Sequence, residues 1–340
     1  MSFLKRISRG ETKIDFVGRR RLWFQISALL ILISLGFVVF RGLNLGIEFR
    51  GGTTINAPNP AGATIEDLRQ LTDEAAVEGA VIQLVNDGQG IRLQTPALEP
   101  EVERELIEDV AAVTGTERAE ISLDSIGPSF GALILRQSLV ALAAFLVAVA
   151  LFMSWRLEWK MAGSGLAALV HDIIITVGVY SITWFEVTPA TVIALLTILG
   201  YSLYDTVVVF DKVSELANEA GPKERYDNIV NRAMNLVLGR SLNTSLSSLL
   251  PVGSILFVGS VVFGASSLRD FALALFVGLA ASTYSSIFVA APLLAAWKLD
   301  DPQIGNRRAK VVTSARSRPS TRLANPSRPR PAPRPPKGRR

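Results

Sequence analysis

The sequence predicts an α-helical integral membrane protein with six transmembrane helices and one small α/β domain outside the membrane. Of the 340 residues, 49% are hydrophobic, and six apolar stretches each approach the ~20 residues that a bilayer crossing requires. One long, highly charged segment separates the first stretch from the second. The expected spans are Leu22–Phe40, Leu133–Met153, Ala162–Trp184, Thr188–Phe210, Ser241–Phe263 and Phe271–Trp297.

The first apolar stretch follows a basic segment, residues 1–21, so a signal peptide is an alternative to a membrane helix. The stretch is longer than the apolar part of a typical signal peptide, and no A-x-A-type cleavage site follows it. We therefore expect an uncleaved first helix.

Residues 41–131 show the pattern of a compact α/β domain. "GGTTINA" reads as a strand, and "TIEDLRQLTDEAAVEGA" as a helix that Thr64 and Asp67 cap. "VIQLV" and "IRLQT" form a hairpin around "NDGQG". "PEVERELIEDVAAVTG" is a second helix that ends at Gly115, and "RAEISLDSI" is a last strand. The order βαββαβ is that of a ferredoxin-like split unit.

The distribution of Lys and Arg predicts the orientation of the chain, because cytoplasmic loops are enriched in them. They are concentrated in residues 1–21, in the loops after spans two and four, and in the tail, residues 298–340. Residues 41–131 instead carry six basic and sixteen acidic residues. Both termini are therefore expected in the cytoplasm, and residues 41–131 on the outer side.

Two polar segments flank the later spans. Residues 221–238 mix polar and apolar residues and are expected to form an interfacial amphipathic helix leading into span five. Residues 298–340 are rich in Pro and Arg, which predicts a disordered cytoplasmic tail. Anionic membrane lipid explains the basic charge without a specific nucleic-acid partner; a ribosome surface and a purely solubilising role stay open.

Composition excludes several kinds of site. The chain has no cysteine, so it has neither disulfides nor cysteine metal sites. Its single histidine, His171, excludes a multi-histidine site. Because no nucleotide-binding loop, nucleophile–base pair or metal cluster is recognisable, we expect no enzyme activity, cofactor or metal.

Ionisable residues inside apolar spans mark the candidate functional site. They are His171 and Asp172 in span three, Asp205 in span four and Arg240 near the start of span five. Asp205 precedes Asp211, which we place at the cytoplasmic surface, by about 9 Å along a helix. Arg240 is expected at a similar depth, so the two side chains could meet.

Each of these residues has two interpretations. Asp205 either binds and releases a proton or forms a structural ion pair with Arg240. His171 and Asp172 either belong to the ion pathway or form a hydrogen bond between helices. Asp270 and Arg136 lie at span ends, where snorkelling explains them. The supporting polar residues, of which the first two share a helix face with Asp205, are Tyr201, Ser202, Thr206, Asn243 and Thr244.

Six motifs resemble the SecF branch of the SecD/SecF family, and together they extend from about Gly46 to Leu294. They are "GIEFRGGT" after span one, "IGPSFG" before span two, "HD" in span three, "GYSLYDTVVVFDKVSE" in span four, "RSLNTSLSSLLP" at span five and "STYSSIFVAAPLL" in span six. This chain departs from the usual pattern at three places: Tyr204 replaces a common Asn, Ser247–Ser248 a common Thr pair and Ser282 a common Gly.

The resemblance implies half of an RND-type bundle, whose other half SecD would supply. It implies an accessory subunit of the bacterial Sec preprotein translocase in the inner membrane, which uses the proton-motive force after SecA-driven translocation. The implied partners are SecD, the SecYEG channel, SecA, YajC, YidC, the translocating preprotein and membrane lipid. A proton-coupled efflux subunit and a purely structural translocon subunit are the alternatives, and Na⁺ is the alternative coupling ion.

The resemblance also implies roles for individual residues. Asp205 and Arg240 match the span-four Asp and span-five Arg implicated in proton movement. The motif after span one joins that span to the outer domain, and its glycines would give the backbone freedom that a hinge or a tight strand entry needs. The residues of this motif are Gly46, Glu48, Phe49, Gly51, Gly52 and Thr53.

Overall fold

The computed structural model describes residues 12, 14–221, 224–259 and 266–298. The tail expected to be disordered lies outside these residues from 299 onward, as does most of the basic N-terminal segment. Within these residues, six helices are long and apolar enough to cross a membrane, which confirms the predicted multi-pass fold. Spans one to six are Arg20–Arg41, Pro128–Arg156, Trp159–Thr183, Pro189–Glu219, Tyr226–Val258 and Leu268–Lys298.

The helices of spans four and five extend furthest beyond their predicted spans. The helix of span four passes the predicted end at Phe210 and continues to Glu219, because Val213 and Leu216 keep one of its faces buried while Asp211 stays exposed. The amphipathic segment before span five is helical, but it is one continuous helix with that span from Tyr226 onward. No Pro or Gly interrupts its first turns, so nothing ends the helix before the apolar part begins.

The N-terminal segment packs against this extension of span five. The side-chain oxygen of Asn235 accepts a hydrogen bond from the backbone N–H of Ile14 at 2.9 Å, and that of Asn231 accepts one from Phe16 at 2.8 Å. The Phe16 ring is buried. Two amides on one helix thus accept hydrogen bonds from backbone N–H groups that lie outside any helix or strand.

The outer domain between spans one and two is a four-stranded antiparallel sheet covered by two helices, Ile65–Glu74 and Pro100–Thr114. The strands of the described residues are β1 (Asn44–Leu45), β2 (Gly52–Pro58), β3 (Val81–Val85), β4 (Gly90–Thr95), β5 (Ser122–Ile126) and β6 (Glu186–Val187). The strand order of the domain's sheet is β3-β4-β2-β5. Along the chain the domain has the βαββαβ order that the sequence predicts.

The domain's core lies between the sheet and the helices. Ile55 and Leu93 from the sheet pack with Leu68 and Leu106 from the helices, and all four are fully buried. The first helix begins at the predicted capping box, in which the Thr64 backbone N–H donates to Asp67 at 2.8 Å and the Thr64 hydroxyl accepts from the Asp67 N–H at 3.3 Å.

The motif after span one connects the outer domain tightly to the bundle. β1 pairs in parallel with β6, which precedes span four. Gly51 has φ +77°, and a Cβ there would lie 2.6 Å from the Pro128 Cα atom; Gly52 has φ +142° and would meet the Thr95 carbonyl at 2.4 Å. These close approaches favour a tight strand entry over a loose hinge.

The expectation that Gly46 supplies backbone freedom is wrong. Its φ is −62°, which any residue adopts. A Cβ there would lie 2.4 Å from the Glu48 Oε2 atom, so a larger residue would require the Glu48 side chain to move. That oxygen is buried without a hydrogen-bond partner, and burial raises the pKa of Glu48. Phe49 is buried, and the Thr53 hydroxyl donates to Glu103 at 3.0 Å, which ties β2 to the second helix.

Candidate functional site

Asp172 is the most deeply buried carboxylate of the bundle, with 0% of its surface exposed. Its Oδ2 atom accepts hydrogen bonds from the hydroxyls of Ser202 at 2.7 Å and Ser285 at 2.9 Å, and its Oδ1 atom lies 3.1 Å from the Nδ1 atom of His171. These partners satisfy a group that is costly to bury alone. Asp172 therefore joins spans three, four and six.

Asp205 is half-buried and connects spans four, five and six. It accepts hydrogen bonds from the hydroxyls of Ser241 and Ser286, the latter at 2.6 Å. Within the described part of the chain, no cationic side chain forms an ion pair with it. The carboxylate is thus held by neutral hydroxyl donors from two neighbouring spans.

The predicted contact between Asp205 and Arg240 is wrong. The Arg240 Nη2 atom instead donates to the Tyr204 hydroxyl at 2.9 Å on an exposed side of the bundle. Consecutive helical residues point about 100° apart. Because Ser241 faces Asp205, its neighbour Arg240 has to face away, and on the opposite helix Tyr204 turns outward beside Asp205 for the same reason.

The supporting residues divide between the two carboxylates. Ser202, predicted to support Asp205, donates to Asp172 instead, since it faces span three. Tyr201 and Thr244 line a cavity at Asp205. Thr206 is buried and its hydroxyl has no hydrogen-bond partner, whereas Asn243 is exposed.

The cavity beside Asp205 has a volume of about 20 Å³, which is enough for one water molecule. Its wall is rich in hydroxyl groups, and Tyr201 and Tyr204 on this wall are 46% and 53% exposed. Asp205 therefore borders a cavity that opens toward the outside of this chain, while Asp172 is fully buried. The lining residues include Tyr201, Tyr204, Asp205, Thr244, Ser282 and Thr283.

Three hydroxyl partners, Ser241, Ser285 and Ser286, were not singled out from the sequence. Span six contains a π-helical turn, Ser286–Ala290, that begins directly after Ser285. The pattern "STYSS" indicates close helix packing but does not show which hydroxyl faces which carboxylate. For Ser285 and Ser286, the sequence offered one indication, which is that two adjacent polar residues lie inside an apolar span.

The interpretation that Asp270 snorkels toward the membrane surface is also wrong. It is 3% exposed, its Oδ1 atom lies 3.8 Å from the Arg269 Nε atom, and its backbone carbonyl accepts a hydrogen bond from the Tyr180 hydroxyl. Arg269 stacks on the Phe185 ring at 4.7 Å. The loop between spans three and four thus covers the beginning of span six. Arg136, the other span-end residue, is exposed as expected.

The arrangement can hold and exchange a proton. A hydroxyl can donate to an ionised carboxylate or accept from a protonated one, so both states of Asp205 find a partner. Carboxylate and hydroxyl oxygens are also ligands for hard cations such as Na⁺. No three His, Asp or Glu side chains converge as metal ligands anywhere in the described ranges.

Comparison with known proteins identifies two family matches. The family described as "Protein export membrane protein SecD/SecF, C-terminal" matches residues 106–300, which is more than half of the chain. The "SecD/SecF GG Motif" matches residues 36–56, around the tight junction after span one.

Curated relatives carry the same names. The protein translocase subunit SecF of Streptomyces coelicolor is 41% identical over 309 residues, which cover 90% of this chain and 83% of that protein. SecF of Haemophilus influenzae is 32% identical over 279 residues, with 81% and 83% covered. The translocase subunit SecDF of Thermus thermophilus is 33% identical over 295 residues, but this chain spans only 39% of it.

Solved structures give the same result. The crystal structure of SecDF from Thermus thermophilus, described as a translocon-associated membrane protein, matches with a TM-score of 0.77 at 33% identity, over 88% of this chain and 40% of that one. A second SecDF structure, in a "super-membrane-facing form", has a TM-score of 0.62 at 32% identity. The chain therefore belongs to the SecD/SecF family of protein export membrane proteins.

Proposed function

We propose that this chain is the SecF-type subunit of a bacterial Sec preprotein translocase and that, with a SecD-type subunit, it uses the proton-motive force to assist export. The curated relatives named above are translocase subunits, which favours this function over drug efflux. SecDF of Thermus thermophilus, of which this chain spans 39%, supports a SecD-type partner for the remainder.

Asp205 is the proposed proton-binding group, and its surroundings carry the proposal. A structural ion pair would fix the carboxylate in its charged form. Among the described residues, the hydrogen bonds to the Asp205 carboxylate instead come from serine hydroxyls, which suit either protonation state, and Asp205 borders a cavity large enough for water. Proton exchange is thus favoured over the structural interpretation. His171 and Asp172 form the inner part of the proposed pathway.

The position of Arg240 is an argument for a partner protein on the exposed side of spans four and five. Its guanidinium has five N–H donors, of which one hydrogen bond, to Tyr204, is seen. An exposed guanidinium in a span is costly in lipid, so such residues usually face protein or a hydrated cavity. A SecD-type bundle packed against this side would supply acceptors and cover Tyr201 and Tyr204.

The proposed topology follows the charge distribution of the sequence. Both termini face the cytoplasm of the inner membrane, residues 41–131 form the extracytoplasmic domain, and residues 298–340 form a cytoplasmic tail. SecYEG, SecA, YajC and YidC are the proposed assembly partners, and the absence of enzyme activity stays a prediction.

The test is export of a reporter preprotein into inverted membrane vesicles under a proton-motive force, with SecA and ATP present throughout. Asp205→Asn keeps the shape of the side chain but removes its proton exchange. We expect export to fall to the level of vesicles without this chain, while the complex still assembles. Asp211→Asn is the matched control, because Asp211 is exposed on the same helix. Unchanged export with Asp205→Asn would refute the proposal. Export driven by a sodium gradient but not by a proton gradient would identify Na⁺ as the coupling ion.

A further inference from the structure

Two consecutive serines of span six contact the two different carboxylates of the bundle. The Ser285 hydroxyl donates to Asp172 at 2.9 Å, and the Ser286 hydroxyl donates to Asp205 at 2.6 Å. Both serines are fully buried. They lie where the α-helix changes into the π-helical turn Ser286–Ala290. Such single turns are rare and are found mostly at functional sites.

We propose that this turn links Asp172 and Asp205 into one proton-binding unit, in which protonation of either carboxylate changes the proton affinity of the other. Ser285 and Ser286 are the positioning residues of the link. The inference rests on the proposed function of Asp205 and specifies how the fully buried Asp172 is coupled to it.

Each serine hydroxyl has two acceptors within reach but only one proton. The Ser285 Oγ atom lies 3.2 Å from the Ser282 carbonyl oxygen as well as 2.9 Å from Asp172. The Ser286 Oγ atom lies 3.3 Å from the Thr283 carbonyl oxygen in addition to Asp205. A hydroxyl therefore donates to an ionised carboxylate, or accepts from a protonated one while donating to its own helix.

This change of acceptor couples the two neighbouring serines. When Asp205 takes up a proton from the adjacent cavity, the Ser286 proton turns toward the Thr283 carbonyl. That carbonyl and the Ser282 carbonyl, which lies within reach of Ser285, belong to neighbouring peptide units of one helical turn. A change in the hydrogen bond to one peptide unit polarises the unit joined to it. The hydrogen bond from Ser285 to Asp172 then changes in strength without any covalent bond being broken.

Span four supplies a second connection between the carboxylates. Ser202 donates to Asp172 at 2.7 Å and lies one helical turn before Asp205 on the same helix. Any displacement of span four therefore reaches both acids.

The other titratable and charged groups around the unit have defined positions. His171 on span three lies 3.1 Å from Asp172, and its ring stacks on Tyr284 of span six at 5.9 Å between centroids. Tyr201 lines the cavity at Asp205. Arg240 on span five faces away, toward Tyr204.

The test is an infrared pH titration of the purified full chain in lipid nanodiscs, which follows the C=O band of protonated carboxyl groups. The Asp205 band is the one that Asp205→Asn removes. In Asp172→Asn we expect its midpoint to shift by about one pH unit, the size at which coupled titrations become distinct. In the Ser285→Ala/Ser286→Ala background, the same Asp172→Asn change should shift the midpoint by less than half as much.

Ser164→Ala is the matched control, because Ser164 is also fully buried in the bundle but donates only to the Met161 carbonyl of its own helix, at 3.0 Å. It should leave the midpoint unchanged. If the double alanine variant does not fold, Ser286→Ala alone provides the same comparison. An equal shift with and without the serines would overturn the proposal, as would no shift at all. Either result leaves the proposed proton-binding role of Asp205 intact. An Asp205 band that never titrates would overturn both the coupling and that role.

Discussion

The outer domain and the membrane bundle place their polar and apolar residues in opposite ways. In the outer domain, Leu68 and Leu93 are fully buried and the acidic side chains of the helices lie mostly at the surface. In the bundle, Phe40 is 92% exposed while Asp172 and Ser285 are fully buried. The solvent explains the difference, because the first region faces water and the second is built to face lipid.

The difference also concerns how far apart in the sequence the interacting residues lie. The turns and helix caps of the outer domain depend on local side-chain hydrogen bonds, as between Thr64 and Asp67, while its sheet pairs distant strands through the backbone, as β2 with β5. The side-chain hydrogen bonds at the two carboxylates of the bundle are distant, since Ser285 bonds to Asp172 across 113 positions. The outer domain thus depends on apolar burial, strand pairing and local caps, and the bundle on close packing and hydroxyl contacts between helices.

The largest expected effect concerns the apolar core of the outer domain. Leu93→Ala in β4 leaves a cavity in a fully packed core and should destabilise the domain by about 3 kcal/mol. Leu123→Ala in β5 is the matched control, because this leucine is 40% exposed, and it should cost far less. Hydrogen exchange of the strand amides measures both values. Equal loss of protection in the two variants would mean that the core does not determine the stability of this domain.

The same contrast explains what the sequence could predict. The capping box, the hairpin and the end of the second helix at Gly115 depend on neighbours in the chain, so their residue types identified them. The partners of Asp205 depend on how each helix is rotated about its axis. Periodicity shows that span five is a helix, but it does not decide whether Arg240 or Ser241 faces Asp205. The sequence therefore identified the carboxylates inside the spans but not the groups that contact them. Nothing in it indicated the π-helical turn.

The close packing of the bundle gives the next largest effect. A Cβ at Gly178 in span three would lie 2.7 Å from the Ser34 Cα atom in span one. Gly178→Ala should therefore push the two helices apart and cost about 2 kcal/mol, the usual size for overpacking. Gly36→Ala is the control, because nothing lies within 4 Å of the corresponding Cβ on span one, and it should be neutral or slightly stabilising. Thermal unfolding of the purified full chain compares them, and an unchanged melting temperature for Gly178→Ala would argue against tight contact between these spans.

The smallest expected effect concerns the exposed cap of the outer domain's first helix. Thr64→Ala removes the accepting hydroxyl and should cost about 1 kcal/mol of domain stability.

Hydrogen bonds from the Thr64 backbone and then its hydroxyl lower the pKa of Asp67 below the ordinary 3.8. Asp67 therefore stabilises the folded domain above pH 3.8, and this contribution is lost as the pH falls through the lowered value. Asp67→Asn should weaken hydrogen-exchange protection near neutral pH and have progressively less effect in acid, whereas Asp73→Asn, an exposed change on the same helix, should have little effect at either pH. A pH-independent difference between wild type and Asp67→Asn would show that the cap acts through shape rather than charge.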